Sequence, residues 1–216
     1  MESIELQWDT VVSQAFAENA YLVHPSDSTE CVIVDPGLDP QDILQTIDSA
    51  NLVPVAILNT HGHSDHIAGN QAMKDAFDGI PLIIGEGDAD KLLDPVLNLS
   101  AAFGMNLISP PADQLVNEGD VLSLAGMDWE VFDTPGHSRG HVVFVCKQAS
   151  PWVVLGGDVL FRTGIGRTDF PDGSHQELLD SIRNKLFVLP DDTVVLPGHG
   201  PSTTIGFEKE FNPFLT

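Results

Sequence analysis

Between Thr60 and Asn70 the chain reads T-H-G-H-S-D-H-I-A-G-N, which places three of its eight histidines within six residues. The run H-x-H-x-D-H offers His61, His63, Asp65 and His66 as metal donors. Imidazole nitrogens and carboxylate oxygens both suit borderline divalent metals, at about 2.0–2.2 Å. The apolar stretch Pro54–Asn59 directly before it reads as a buried strand, so the loop begins at a sheet end. At a period of two, His61 and His63 project to one side, while Asp65 and His66 point elsewhere as a helix begins. One loop can therefore feed two adjacent metal positions, and the rest of the fold has to bring further donors to it.

Those donors recur at strand ends. His137 lies in D-T-P-G-H-S-R-G-H after the strand candidate Trp129–Phe132. Asp158 lies in L-G-G-D after Trp152–Leu155, and His199 in L-P-G-H-G after Thr193–Leu196. Strand ends followed by glycine let loops converge on one edge of a sheet, where α/β proteins build sites. His61, His63 and His137 then form one metal set, and Asp65, His66 and His199 a second. Asp158 can bridge them, having two oxygens and a charge that offsets both cations. A hydroxide held between two cations about 3.5 Å apart is a strong nucleophile at neutral pH.

Strand and helix patterns alternate along the chain. Ile4–Trp8, Ala20–His24 and Cys31–Asp35 read as strands, and Asp39–Ser49 as a helix opened by a proline. His66–Phe77 reads as a helix and Pro81–Ile84 as a strand. Val121–Leu124 with Trp129–Phe132, and Val142–Cys146 with Trp152–Leu155, read as hairpins. Gln176–Leu186 has the spacing of an amphipathic helix, and Thr193–Leu196 is the last strand. The stretch 88–111 reads as a lid or helical insertion over a pocket, or as a surface excursion. With no Ser- or Gly-rich linker, residues 1–216 are expected to form a single domain.

Nine Lys and Arg face 32 Asp and Glu, a net charge of −23. Such a surface repels nucleic acid and anionic membrane, so neither is an expected partner. Cys31 and Cys146 sit in apolar, β-branched runs and read as buried small hydrophobes. The N-terminus lacks the basic start and apolar core of a signal peptide, and no apolar run reaches the ~20 residues that span a bilayer. A cytoplasmic setting is expected, with either a monomer or a homo-oligomer open.

The ordered set H-x-H-x-D-H, P-G-H, G-D and G-H resembles the metallo-β-lactamase superfamily. V-D-P-G at Val34–Gly37 resembles that family's early strand-end motif, which implies that Asp35 supports the ligands. T-P-G-H-S-R-G-H, G-D-V-L-F and G-I-G-R-T-D-F-P look most like glyoxalase II, and the ending L-P-G-H-G-P-S-T-T-I-G-F like its short bacterial relatives. The implied fold is an α/β (α+β) four-layer αβ/βα sandwich. The implied activity is thioester hydrolysis, as of S-lactoylglutathione, by two divalent ions (zinc first, iron or manganese as alternatives). Asp65 and Asp158 would hold and orient the attacking water. A thiolate with a pKa of about 8–9 departs without a dedicated acid.

Glyoxalase II proper carries a C-terminal helical domain that supplies glutathione contacts, whereas this chain ends seventeen residues after His199. Contacts to an anionic substrate would then fall to Arg139, Arg162 and Arg167, with an ion pair to Asp169 as the other role for Arg167. His141 is expected to orient a ligand, touch substrate or cap its strand. The string G-x-G-R-T-D-F also resembles persulfide dioxygenases, which use a single iron. Lactone or other ester hydrolysis, and an idle binding module, are the further alternatives.

Overall fold

In the computed structural model, which describes residues 3–215, the strands assemble into two six-stranded mixed sheets. The first runs in spatial order β1 (Leu6–Val12), β2 (Asn19–Pro25), β3 (Glu30–Val34), β4 (Val53–Asn59), β5 (Leu82–Gly85) and β6 (Gln114–Val116). Its first three strands are antiparallel and β3 to β6 are parallel. The second sheet contains β7 (Val121–Leu124), β8 (Met127–Asp133), β9 (Val142–Cys146) and β10 (Val153–Gly157). After the small hairpin of β11 (Leu160–Phe161) and β12 (Gly164–Ile165), β13 (Val194–Pro197) and β14 (Thr203–Thr204) complete it. Within it β10 and β13 are parallel.

Side-chain alternation divides each strand between two cores. Along β3, Val32 and Val34 face the space between the sheets, whereas Cys31 and Ile33 face outward. Along β9, Val142, Phe144 and Cys146 point inward, and Val143 and Val145 outward. Both faces are covered, so these strands read as continuous apolar runs and not as alternating ones. Helices α1 (Pro40–Ala50), α2 (Ser64–Ile67) and α3 (Asn70–Ala76) cover the first sheet through Ile43, Ile47, Ile67 and Met73. Helix α4 (His175–Ser181), its wider continuation Ile182–Leu186, and α5 (Ile205–Phe211) cover the second through Leu178, Ile182, Leu186 and Ile205. The layers are therefore helix, sheet, sheet, helix. Among the described residues no helix is long and apolar enough to cross a membrane.

Several boundaries differ from the sequence pattern. The first strand begins at Leu6 and runs to Val12, because its length is set by the ladder to Asn19–Pro25; Ile4 makes only an isolated bridge to Ala149. The helix expected over His66–Phe77 is broken where the Gly69 N–H donates to the Pro36 carbonyl at 2.7 Å. The helix expected at Gln176 starts at His175, after Ser174, whose hydroxyl accepts from the Glu177 N–H at 3.4 Å. The stretch 88–111 carries 3₁₀ turns, at Glu86–Leu92 and Ser100–Phe103.

Candidate metal centre

The expected donors all leave the C-terminal ends of strands. Asp35 follows β3, Thr60 to His66 follow β4, His137 lies in the loop after β8, Asp158 follows β10 and His199 follows β13. The two sheets are joined at this edge, where the Val142 N–H donates to the Thr60 carbonyl at 2.8 Å. Donor atoms of His61, His63 and His137 lie within 4.8 Å of one another, as do those of Asp65, His66 and His199. Asp158 stands between the groups, with Oδ1 3.5 Å from His66 Nε2 and Oδ2 3.5 Å from His137 Nε2 and 3.6 Å from His199 Nε2.

Hydrogen bonds fix which ring nitrogen faces the centre. Asp35 Oδ1 accepts from the Thr60 N–H at 2.7 Å, and Oδ2 from the Thr60 hydroxyl at 2.7 Å. With its proton spent, Thr60 Oγ1 accepts from His61 Nδ1–H at 3.1 Å. Asp35 Oδ2 also accepts from His66 Nδ1–H at 3.1 Å. His137 Nδ1–H donates to the Arg167 carbonyl at 2.9 Å, and His199 Nδ1–H to the Ala17 carbonyl at 3.2 Å. Each of these four rings therefore turns its Nε2 to the centre. His63 turns Nδ1 there instead, 2.9 Å from His137 Nε2. The Nε2 atoms of His61 and His66 and Oδ1 of Asp158 are buried with no hydrogen-bond partner. Buried polar atoms left unsatisfied are costly, and divalent cations at the two donor groups would satisfy all three, so the residues present fit such ions.

Electrostatics separate the two groups. Burial, reinforced by neighbouring imidazoles, pushes His61 and His63 well below the usual histidine pKa, and burial also lowers His137. These rings are neutral, the form that binds a metal. Burial opposes charge on His66 as well, but Asp158, Asp65 and Asp35 outweigh it and hold its pKa well above the usual value. Asp65 stays ionised despite burial because His66 and His199 pull its pKa down. The second group thus holds an excess of carboxylate that a proton on His66 offsets and a metal ion can offset instead.

A family model of the metallo-β-lactamase superfamily matches residues 14–199. The chain belongs to that superfamily. It is 41% identical over 204 residues to the hydroxyacylglutathione hydrolase GloC of Haemophilus influenzae, covering 93% of this chain and 94% of that protein. Among solved structures, the BLEG-1 B3 metallo-beta-lactamase superposes with a TM-score of 0.92 at 40% identity, covering 97% of this chain and 100% of that one. TTHA1623 in a di-iron-bound form superposes with a TM-score of 0.83 at 36% identity, covering 96% and 100%. The four-layer sandwich is the metallo-β-lactamase fold, and its histidine and aspartate groups are candidate metal sites.

Around these donors this superfamily member places further residues, of which Asn19, Tyr21, Asp88, Glu18 and Gly157 are not singled out by the sequence. His141 is no donor: Nδ1–H donates to Thr134 Oγ1 at 3.0 Å, and Nε2 accepts from the Asp158 N–H at 3.0 Å, so the ring positions Asp158. A Cβ at Gly157, where φ is +47°, would fall 2.3 Å from Thr60 Oγ1 and 2.7 Å from His141 Nε2. Only glycine allows that approach. The His199 loop is pinned by the Asn19 amide and the Tyr21 hydroxyl, which donate to the Pro197 carbonyl at 2.9 and 2.7 Å. Buried Asp88 accepts from the Gly62 N–H at 2.9 Å, the Ser138 hydroxyl at 2.7 Å and the Gly140 N–H at 2.8 Å. Glu18 is fully buried, and desolvation, against a smaller pull from His66, drives its pKa well up, leaving a neutral acid. Ser138, in its loop, and Ser64, the first residue of α2, are both buried, and Cys31 and Cys146 are buried free thiols.

A cavity of about 320 Å³ opens on the centre, lined by His63, Asp65, His137, Asp158 and His199 on one side. Of the three arginines named from the sequence, only Arg167 reaches it. Arg139 lines a separate depression beside His141, and Arg162 lies 4.4 Å over the Phe207 ring.

Proposed function

We propose that this protein is a binuclear metal-dependent thioesterase acting on S-acyl-glutathione-type thioesters. The observation that carries the reading is the pair of donor groups, His61, His63 and His137 against Asp65, His66 and His199, with the Asp158 carboxylate within 3.6 Å of donors from both. Its likeness to GloC supports the thioester class. The di-iron form of TTHA1623 supports two metals and makes iron a contender beside zinc and manganese.

When bound, a pair of divalent ions supplies Lewis acidity and brings the pKa of a coordinated water near neutrality. The chain's residues do the rest. Asp35, directly and through Thr60, takes up the Nδ1–H of His66 and His61, so both rings present Nε2 for ligation. His141 holds the backbone of Asp158, and with it the carboxylate between the groups. A thiolate leaving group with a pKa of about 8–9 needs no acid, which agrees with a centre built from donors alone.

The test is turnover of S-lactoylglutathione by metal-loaded protein, run beside oxygen uptake on glutathione persulfide. Hydrolysis without oxygen uptake is expected. Robust uptake with one iron per chain would replace the hydrolase by a persulfide dioxygenase, and no turnover of any thioester with the metals bound would refute the substrate class.

A further inference from the structure

Resting on the thioesterase reading, we propose that the cavity beside the centre seats the acyl group of the substrate, and that this group is an apolar chain longer than lactoyl. The apolar part of its lining is Phe16, Leu99, Phe103, Phe161, Ile165 and Phe170, the last packed edge to face on His63 with ring centroids 5.0 Å apart. These come from separate segments: the β1–β2 connection, the turn at 99–103, the β11–β12 hairpin and the loop after it. Phe16 and Phe103 meet edge to face, with ring centroids 5.2 Å apart, so two distant segments close one side of the cavity. Leu99 takes a left-handed φ of +69°, a conformation costly for a leucine, to stand in this wall.

Charge decides which part of a thioester belongs here. The single guanidinium in the lining, Arg167, is paired on the surface with Asp169, to which Nε and Nη2 each donate at 2.7 Å, and its carbon lies 4.3 Å over the Phe170 ring. Lys91 is buried between Asp88, at 3.2 Å, and Asp172, at 2.6 Å. Lys74, Lys147, Lys185 and Lys209 pair with Asp113, Glu130, Glu118 and Asp191. No unpaired cation lines the cavity among the described residues, in a chain of net charge −23. The two carboxylates of a glutathionyl group find no partner there, whereas a hydrocarbon finds six apolar side chains. The acyl group therefore goes in and the thiol part stays out. Water then adds across the acyl–sulfur bond: its oxygen bonds to the acyl carbon, and the C–S bond breaks with its electron pair on sulfur. The products are a carboxylic acid and a thiol.

The test uses the full, metal-loaded chain and a series of S-acyl-glutathiones. Each buried methylene is expected to raise kcat/KM about fourfold, so hexanoyl exceeds butanoyl about 16-fold until the cavity is filled. Phe103→Ala and Phe161→Ala are each expected to narrow that ratio. A second readout avoids turnover: in calorimetric titration the thioether S-hexylglutathione binds at least ~10-fold tighter than S-methylglutathione, with a negative heat-capacity change. Equal binding of the two thioethers, or preference for lactoyl over hexanoyl, would overturn the assignment. Tighter hexyl binding without turnover of any thioester would overturn the hydrolase reading and uphold the cavity's apolar specificity.

Discussion

Asp35 is the residue on which two of the candidate ligands depend. Its φ of +45° is strained for an aspartate, and it accepts three hydrogen bonds, one from His66 and two from Thr60. An amide in its place loses the charge and directs N–H groups at donors. Asp35→Asn is therefore expected to weaken metal binding about 10–100-fold, measured by competition with a chromogenic chelator, since outer partners of ligating histidines carry effects of that size. Unchanged affinity would remove Asp35 from the ligand-orienting role. V-D-P-G marks this position in the sequence, because a carboxylate at a strand end is visible there. Thr60 as its partner is not visible, because the contact joins positions 25 residues apart across two parallel strands. Glu18 is illegible for a related reason. Nothing in A-F-A-E-N-A-Y separates a buried neutral acid from a surface one until the chain has packed around it.

Between elements, Asp88 ties together the two loops that carry the first donor group. It holds Gly62, between His61 and His63, and also Ser138 and Gly140, which lie between His137 and His141. It stands in the 3₁₀ turn at Glu86–Leu92, inside a stretch whose sequence has no clear period. Its partners are backbone amides and a hydroxyl, which leave no compositional trace. Asp88→Ala leaves those donors unpaired and half-strips buried Lys91 of its carboxylates. A loss of roughly 2–4 kcal/mol is expected from denaturant midpoints, together with weaker metal binding. A change below about 0.5 kcal/mol, the level of an ordinary surface substitution, would contradict the clamp. The long strands were legible by contrast, since apolar runs such as V-V-F-V-C need only burial on both faces. The breaks were not: Gly69 ends α2 through a bond to Pro36, a tertiary contact inside an otherwise helical pattern.

At the scale of the molecule, the fold brings five strand ends from two sheets to one edge, and each delivers a donor or the residue that orients one. The sequence announces those donors because metal chemistry restricts residue type and the strands before them are strongly apolar. It does not announce the cavity wall, whose phenylalanines come from separate segments and look, in sequence, like any other apolar residues. The central claim is that the donors serve two metal positions sharing Asp158. Elemental analysis of purified full-length protein, exchanged into metal-free buffer after loading with zinc or with iron, tests it most directly. About two ions per chain are expected, falling to about one in His199→Ala, which removes a donor from the second group alone. One ion per chain in the unaltered protein under both metals would contradict it.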